Sequence, residues 1–306
     1  MKIVVAGGSG FIGEPLVRRL LARGNDVAVL TRDASRVAAG RPLTWDGRTQ
    51  GTWSDEVSSA DAIVNLAGEN IAEGRWTDAR KQRLVDSRLN ATGAIVEALR
   101  REPSRRRALV NASAIGFYGD RKDESLDESS TRGGGFLADL VDRWEAAARE
   151  ADPLARLVVL RFGVVLASGG GALQKMLLPF KLGAGGPIGS GEQWMSWIER
   201  DDVLRMIEWA IETESVRGVY NATAPEPARN RDFSRALGRA VSRPAFMPAP
   251  AFALRLAFGQ MADEALLAGQ RVLPRRAEQE GFTFEARGLD DALGRALRKQ
   301  GSTIRG

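Results

Sequence analysis

Hydrophobic positions in the first half of the chain switch between two spacings. Short runs rich in β-branched residues at Lys2–Ala6, Asp26–Thr31, Leu43–Trp45, Ala62–Ala67, Arg107–Ser113 and Leu157–Phe162 predict six strands. Between them, Ile12–Arg23, Thr77–Arg101 and Phe136–Glu150 carry a helical repeat. In the second of these, Leu84, Leu89, Ile95, Val96 and Leu99 supply much of the apolar face. Strands alternating with helices predict a parallel sheet covered on both faces. Right-handed crossovers make it a doubly wound α/β fold of the Rossmann type.

Beyond Gly163 the alternation fails. Gly169–Gly171 and Gly183–Gly191 are dense in glycine, and Pro225–Pro250 contains five prolines. A helical region from Phe252 to about Leu273 and a last stretch, Phe282–Leu297, follow. The pattern divides the chain into a Rossmann domain at 1–165, to which later segments return, and a lobe at 166–306. That lobe is smaller, mixed α/β and on the substrate side, with a helical module at about 248–297.

Composition narrows the chemistry. The 306 residues are 43% hydrophobic and 27% charged, ordinary for a globular protein, and no run has the length of a membrane span. With no signal-peptide pattern at the start, the expected location is the cytoplasm. Cysteine and histidine are absent, which excludes disulfides, Cys/His zinc sites and a Ser-His-Asp triad. No metal-ligand pattern is present. The net charge of +5 comes from scattered arginines with short clusters such as Arg105–Arg107 and Arg275–Arg276. It reads as a solvated basic surface without the interleaved aromatics that nucleic acid requires. Neither nucleic acid nor a membrane is an expected partner; a small-molecule substrate is. Nothing in the pattern sets an oligomeric state.

Gly7-Gly8-Ser9-Gly10-Phe11-Ile12-Gly13 follows the first strand and opens the first helix. Gly7 permits the tight turn, Gly10 lets the main chain approach a pyrophosphate, and Gly13 lets helix and strand pack closely. The helix start supplies bare N–H groups and a positive dipole end. Strand, glycine turn and helix in this order predict a dinucleotide site.

The spacing G-x-x-G-x-x-G resembles that of the short-chain dehydrogenase/reductase superfamily, in its extended, epimerase-like branch. Asn65-Leu66-Ala67-Gly68 is similar to the motif after the fourth strand, where small residues pass the adenine ribose. Gly116-Phe117-Tyr118-Gly119 is similar to the Tyr-Gly turn after the fifth. Gly74–Thr77, Gly191–Ile198 and Tyr220–Pro225 resemble one subfamily, the nucleoside-diphosphate-sugar epimerase group related to a plastid and cyanobacterial division-associated protein. Its C-terminal module of unknown function resembles Pro248–Leu297, including Gly269–Pro274. The resemblance implies an NADP-binding epimerase or oxidoreductase acting on a small, possibly nucleotide-linked substrate. The alternative is a non-catalytic NADP-binding protein with a regulatory or division-associated role.

The second strand ends in Thr31, followed by Arg32, with Ser35 close behind. A guanidinium suits a 2′-phosphate and selects NADP, while Asp33 could favour NAD. The cofactor-binding set is therefore Gly7, Gly10, Phe11, Ile12, Gly13, Thr31, Arg32, Ser35, Leu66, Ala67, Gly68 and Arg88.

The superfamily's proton relay needs a Ser or Thr and a Tyr-Lys pair one helical turn apart, the lysine lowering the tyrosine's pKa. Only Tyr118 and Tyr220 exist, and Tyr118-Gly119-Asp120-Arg121-Lys122 lies in a helix-breaking loop. The resemblance, aligned through Glu145, puts Leu137 at the tyrosine position and Val141 at the lysine position. Either Ser113 or Ala114 falls at the serine position. Ser113 and Tyr118 remain the catalytic candidates; Glu69, Lys81, Lys175 and Glu199 are further proton partners by position. Glu69, Arg75, Trp76, Gln193, Trp194 and Trp197 are the expected pocket residues, with core packing as the alternative for the tryptophans. Asp202 resembles the branch's helix-capping aspartate.

Overall fold

A computed structural model describes residues 1–298. Seven parallel strands form one sheet: β1 Lys2–Ala6, β2 Asp26–Thr31, β3 Arg41–Thr44, β4 Ala62–Asn65, β5 Ala108–Ala114, β6 Arg156–Phe162 and β7 Gly218–Ala222. Their order is β7-β6-β5-β4-β1-β2-β3, the Rossmann-type arrangement expected. Ala6 of β1 lies between Leu30 of β2 and Asn65 of β4. The winding direction reverses at that pair, which opens a crevice beyond their C-terminal ends, where such sheets bind ligands.

The helices are α1 Gly13–Ala22, α2 Trp53–Ser58, α3 Asp78–Leu99, α4 Phe136–Arg149 and α5 Gly171–Lys181. They continue with α6 Arg200–Glu212, α7 Asn230–Ala240, α8 Ala251–Phe258, α9 Arg275–Gln279 and α10 Leu289–Arg298. Both sheet faces are dry, so β1 is apolar at nearly every position rather than alternating. Leu16, Val17 and Leu20 of α1 join Val203 and Ile207 of α6 on one face. Val57 of α2, Ile95 and Leu99 of α3 and Ala148 of α4 cover the other. A third cluster under α5, α7 and α10 holds the lobe together around Leu173, Trp197 and Phe233. Among the described residues no helix is long and apolar enough to cross a membrane, and no metal-ligating cluster occurs.

One element was not foreseen, and two expectations need correction. The polar stretch after β3 hides α2, a six-residue helix. The helical region from Phe252 is broken: α8 stops at Gly259 (φ +60°), and Arg271–Val272 instead pairs as a short strand with Ser125–Leu126. Glu199, not Asp202, caps α6, accepting from the amide of Asp201 at 2.6 Å. The buried Asp202 carboxylate reaches further, accepting from the amides of Glu285 and Ala286 at 2.9 Å each. It thereby pins the segment that carries Phe282 and Phe284 into the main core.

Asp202→Ala leaves two main-chain donors without this acceptor, so the expected loss is about 2–4 kcal/mol. Urea unfolding of both proteins measures it; an unchanged midpoint contradicts the pinning role.

Candidate functional site

The glycine turn after β1 sits at the crevice. Gly7 has φ +78°, and a Cβ there would stand 2.8 Å from the Leu66 carbonyl oxygen, so the turn abuts the end of β4. A Cβ on Gly13 would lie 2.2 Å from the Gly7 carbonyl oxygen, a separation no side chain tolerates. Helix and strand approach so closely only because both positions lack side chains. No side chain caps α1, and the exposed Gly10 amide turns back to Gly7 O at 3.0 Å. The amides of Phe11 and Ile12, just ahead of α1, therefore lie at the uncapped, positive end of the helix dipole.

Phe11 also fixes what lies over the turn. A Cβ at Gly170 or Gly171 would come within 2.5 or 2.9 Å of its ring, so the start of α5 is pressed onto the cradle. Arg200 also stands over the ring, 5.2 Å from its centroid. Its Nε is buried without a partner among the described residues. An uncapped helix start, close main-chain approach and an unneutralised cation fit a dinucleotide diphosphate.

At the end of β2, the Thr31 hydroxyl donates to Asp33 O and accepts from its amide. Asp33 closes a local turn: Oδ1 accepts from the amide (3.0 Å) and hydroxyl (2.6 Å) of Ser35, which hold its carboxyl below the usual range. Ser35 is thus committed to this turn. Arg32 is exposed beside it.

After β4, Leu66 and Ala67 are half-buried beside the glycine turn. Arg88 braces this loop from behind, donating to Leu84 O and Glu69 O at 2.9 Å and stacking 5.1 Å from the Trp144 ring. Burial pushes its guanidinium down to about 10. These two bonds and the packing of its guanidinium against Gly68 make Arg88 a support for this loop.

The relay candidates are locked. Ser113 is buried and donates to Glu145 at 2.6 Å. Arg161 grips both Glu145 oxygens at 2.8 Å and donates to the Tyr118 hydroxyl at 2.9 Å. That hydroxyl donates in turn to Asn221 (2.8 Å) or Asp127 O (2.9 Å). Burial of Tyr118 raises its pKa, only partly offset by Arg161. In place of the relay, Ala114, Leu137 and Val141 meet in one apolar cluster with Trp76 and Met261. Glu264 of the C-terminal module caps α4 there, accepting from the Phe136 and Leu137 amides at 3.1 and 2.8 Å. Sequence reasoning missed this residue, since nothing in chain order links positions more than a hundred residues apart.

The expected pocket residues scatter. Trp197 has no exposed surface and belongs to the lobe core, a correction that follows from its place on a two-sided buried strand, Trp197–Glu199. Trp76 is also buried, edge-on to Phe136 at 5.2 Å, with its indole N–H on Ile71 O. Gln193 ties two loops, donating to Ile188 O and Leu266 O. Glu69 is ion-paired to Arg80, and Arg75 is exposed near Gly259. Trp194 is half-buried, stacked between Arg229 (4.3 Å) and Arg271 (4.8 Å), with its N–H on Asp123. Of the other proton partners, Lys81 lies over Phe136, Lys175 reaches Ala72 O, and Glu199 is the α6 cap.

The chain has only two tyrosines, and burial lifts both, Tyr220 to about 12. In the unfolded chain they ionise near pH 10. The neutral phenols therefore support folding below about pH 10, and that support is lost as pH rises toward the folded values. Phenolate absorbance should rise only together with alkaline unfolding. A reversible titration near pH 10 in folded protein contradicts the locked network.

Residues 3–223 match the family model described as NAD dependent epimerase/dehydratase family, and 249–296 match a domain of unknown function, DUF1731. An epimerase family protein of Mycobacterium bovis is 41% identical over 98% of both chains. The structure of human epimerase family protein SDR39U1 (isoform 2) with NADPH superposes with a TM-score of 0.88 at 37% identity, over 97% of this chain and 99% of that one. A UDP-glucuronic acid 4-epimerase from Bacillus cereus shares the fold, with a TM-score of 0.80 at 17% identity over 99% and 100%. With a matched model over most of its length, the chain belongs to the NAD dependent epimerase/dehydratase family.

Proposed function

We propose that this epimerase-family chain binds NADP(H) in the β1–α1 cradle and acts on a small substrate without the tyrosine-lysine relay. The observation that carries this reading is the Gly7–Gly13 contact, which leaves the start of α1 open to a diphosphate. The exposed guanidinium of Arg32 suits a 2′-phosphate, and Oδ1 of Asp33 is engaged by Ser35 rather than left to accept from ribose hydroxyls. The human relative solved with NADPH supports the phosphorylated form.

Bound NADPH supplies a hydride. The chain's own residues hold the diphosphate at α1, read the adenosine end through Arg32, and exclude water with Leu137, Ala114 and Trp76. None of those three carries a proton to give. That apolar triad favours a second reading, an NADP-binding regulatory protein whose output is occupancy. The two separate on whether NADPH bound to the protein is ever oxidised when small-molecule extracts are added.

Fluorescence titration should show tighter binding of NADPH than of NADH. Arg32→Ala should erase the preference, weakening NADPH roughly ten- to a hundredfold with little change for NADH. Equal affinities in the parent protein overturn the assignment.

A further inference from the structure

We infer that the face formed by α5, the segment 243–250 and α8 docks on an anionic lipid bilayer. Eight large apolar side chains are exposed among the described residues, and six gather here: Leu178, Leu182, Phe246, Met247, Phe252 and Leu256, exposed by 50–77%. The three segments adjoin. Arg243 Nε donates to Lys181 O at 3.2 Å, Met247 N to Gly185 O at 3.1 Å, and Ala249 N to Pro187 O at 2.9 Å. Leu178 of α5 and Leu182, the residue that ends it in helical conformation, are four residues apart, as are Phe252 and Leu256 on α8, so each pair shares one side of its helix. The sequence of α8 is Ala-Phe-Ala-Leu-Arg-Leu-Ala-Phe, yet none of its residues is buried. An apolar helix left on the surface marks an interaction site.

The charge around this patch selects the occupant. Arg231, Arg235 and Arg239 recur every four residues along α7, and Arg243 follows just past its end. Arg235, Arg239 and Arg243 line, with Phe246, an open cavity of about 540 Å³. Lys181 and Arg243 have no carboxylate partner among the described residues. Arg231, Arg235 and Arg239 pair with Glu192, Asp232 and Asp290 only at exposed positions, where such pairs contribute little. A second copy with the two-fold axis through this row would bring it against itself. An anionic bilayer instead takes the apolar tips below its headgroups and gives phosphates to the arginines. Tips drawn from three segments also suit a broad surface better than one peptide groove.

Co-sedimentation of the full chain tests this, using vesicles of phosphatidylcholine alone or mixed with phosphatidylglycerol. The chain should pellet with the mixed vesicles, not the neutral ones, and added salt should release it. Phe252→Ser with Leu256→Ser should lower partitioning at least about tenfold. The same variant should keep the parent melting curve and NADPH titration, so failure of the cofactor reading is scored separately. Absence of binding to mixed vesicles at low salt overturns the proposal, as does equal binding by the double variant. A concentration-dependent dimer abolished by the same substitutions assigns the face to a second copy instead.

Discussion

Main chain against main chain, the start of α1 on the end of β1, is the contact on which the rest of this molecule depends. The Gly13 Cα side meets the Gly7 carbonyl, and Gly8 meets Val29 of β2 so closely that a Cβ would lie 2.7 Å from it. That approach puts an uncapped helix end at the point where the sheet reverses its winding. It also orients Phe11 outward, where α5 and Arg200 close on it. The cradle, the packing of α5 on it and the place of Arg200 over Phe11 all follow from one tight turn.

Away from the cradle, the ends of β5, β6 and β7 have been given to structure. Ser113, Glu145, Arg161, Tyr118 and Asn221 satisfy one another inside the protein. A buried network so fully paired rigidifies its surroundings. The guanidinium of Arg161, 3.5 Å from the Phe117 ring centroid, adds to that rigidity. Burial opposes its charge, but Glu145 and Tyr118 raise its pKa further than burial lowers it. The C-terminal module takes part through Glu264, which caps α4 beside the apolar positions that replace the relay.

The first half of the fold was legible because its signals are local. Strands buried on both faces announce themselves as apolar runs, and β1 and β2 were read to the residue. The glycine turn was legible for the same reason: turn, approach and packing all fall within seven positions. Trp197 and Trp76 misled because a tryptophan in a glycine-rich setting looks the same in sequence whether it lines a pocket or fills a core. Tyr118 was readable as a turn aromatic, but its partners Arg161 and Asn221 are brought to it only by the sheet. The apolar docking face was invisible for that reason too, since three segments supply it and each alone resembles a core fragment.

Isothermal titration calorimetry of NADPH into the folded chain, beside a Gly13→Val variant, tests the central claim most directly. The account predicts saturable heat of one-to-one binding for the parent. It predicts none for the variant, whose side chain pries α1 from β1. A folded parent protein that releases no heat with NADPH contradicts it.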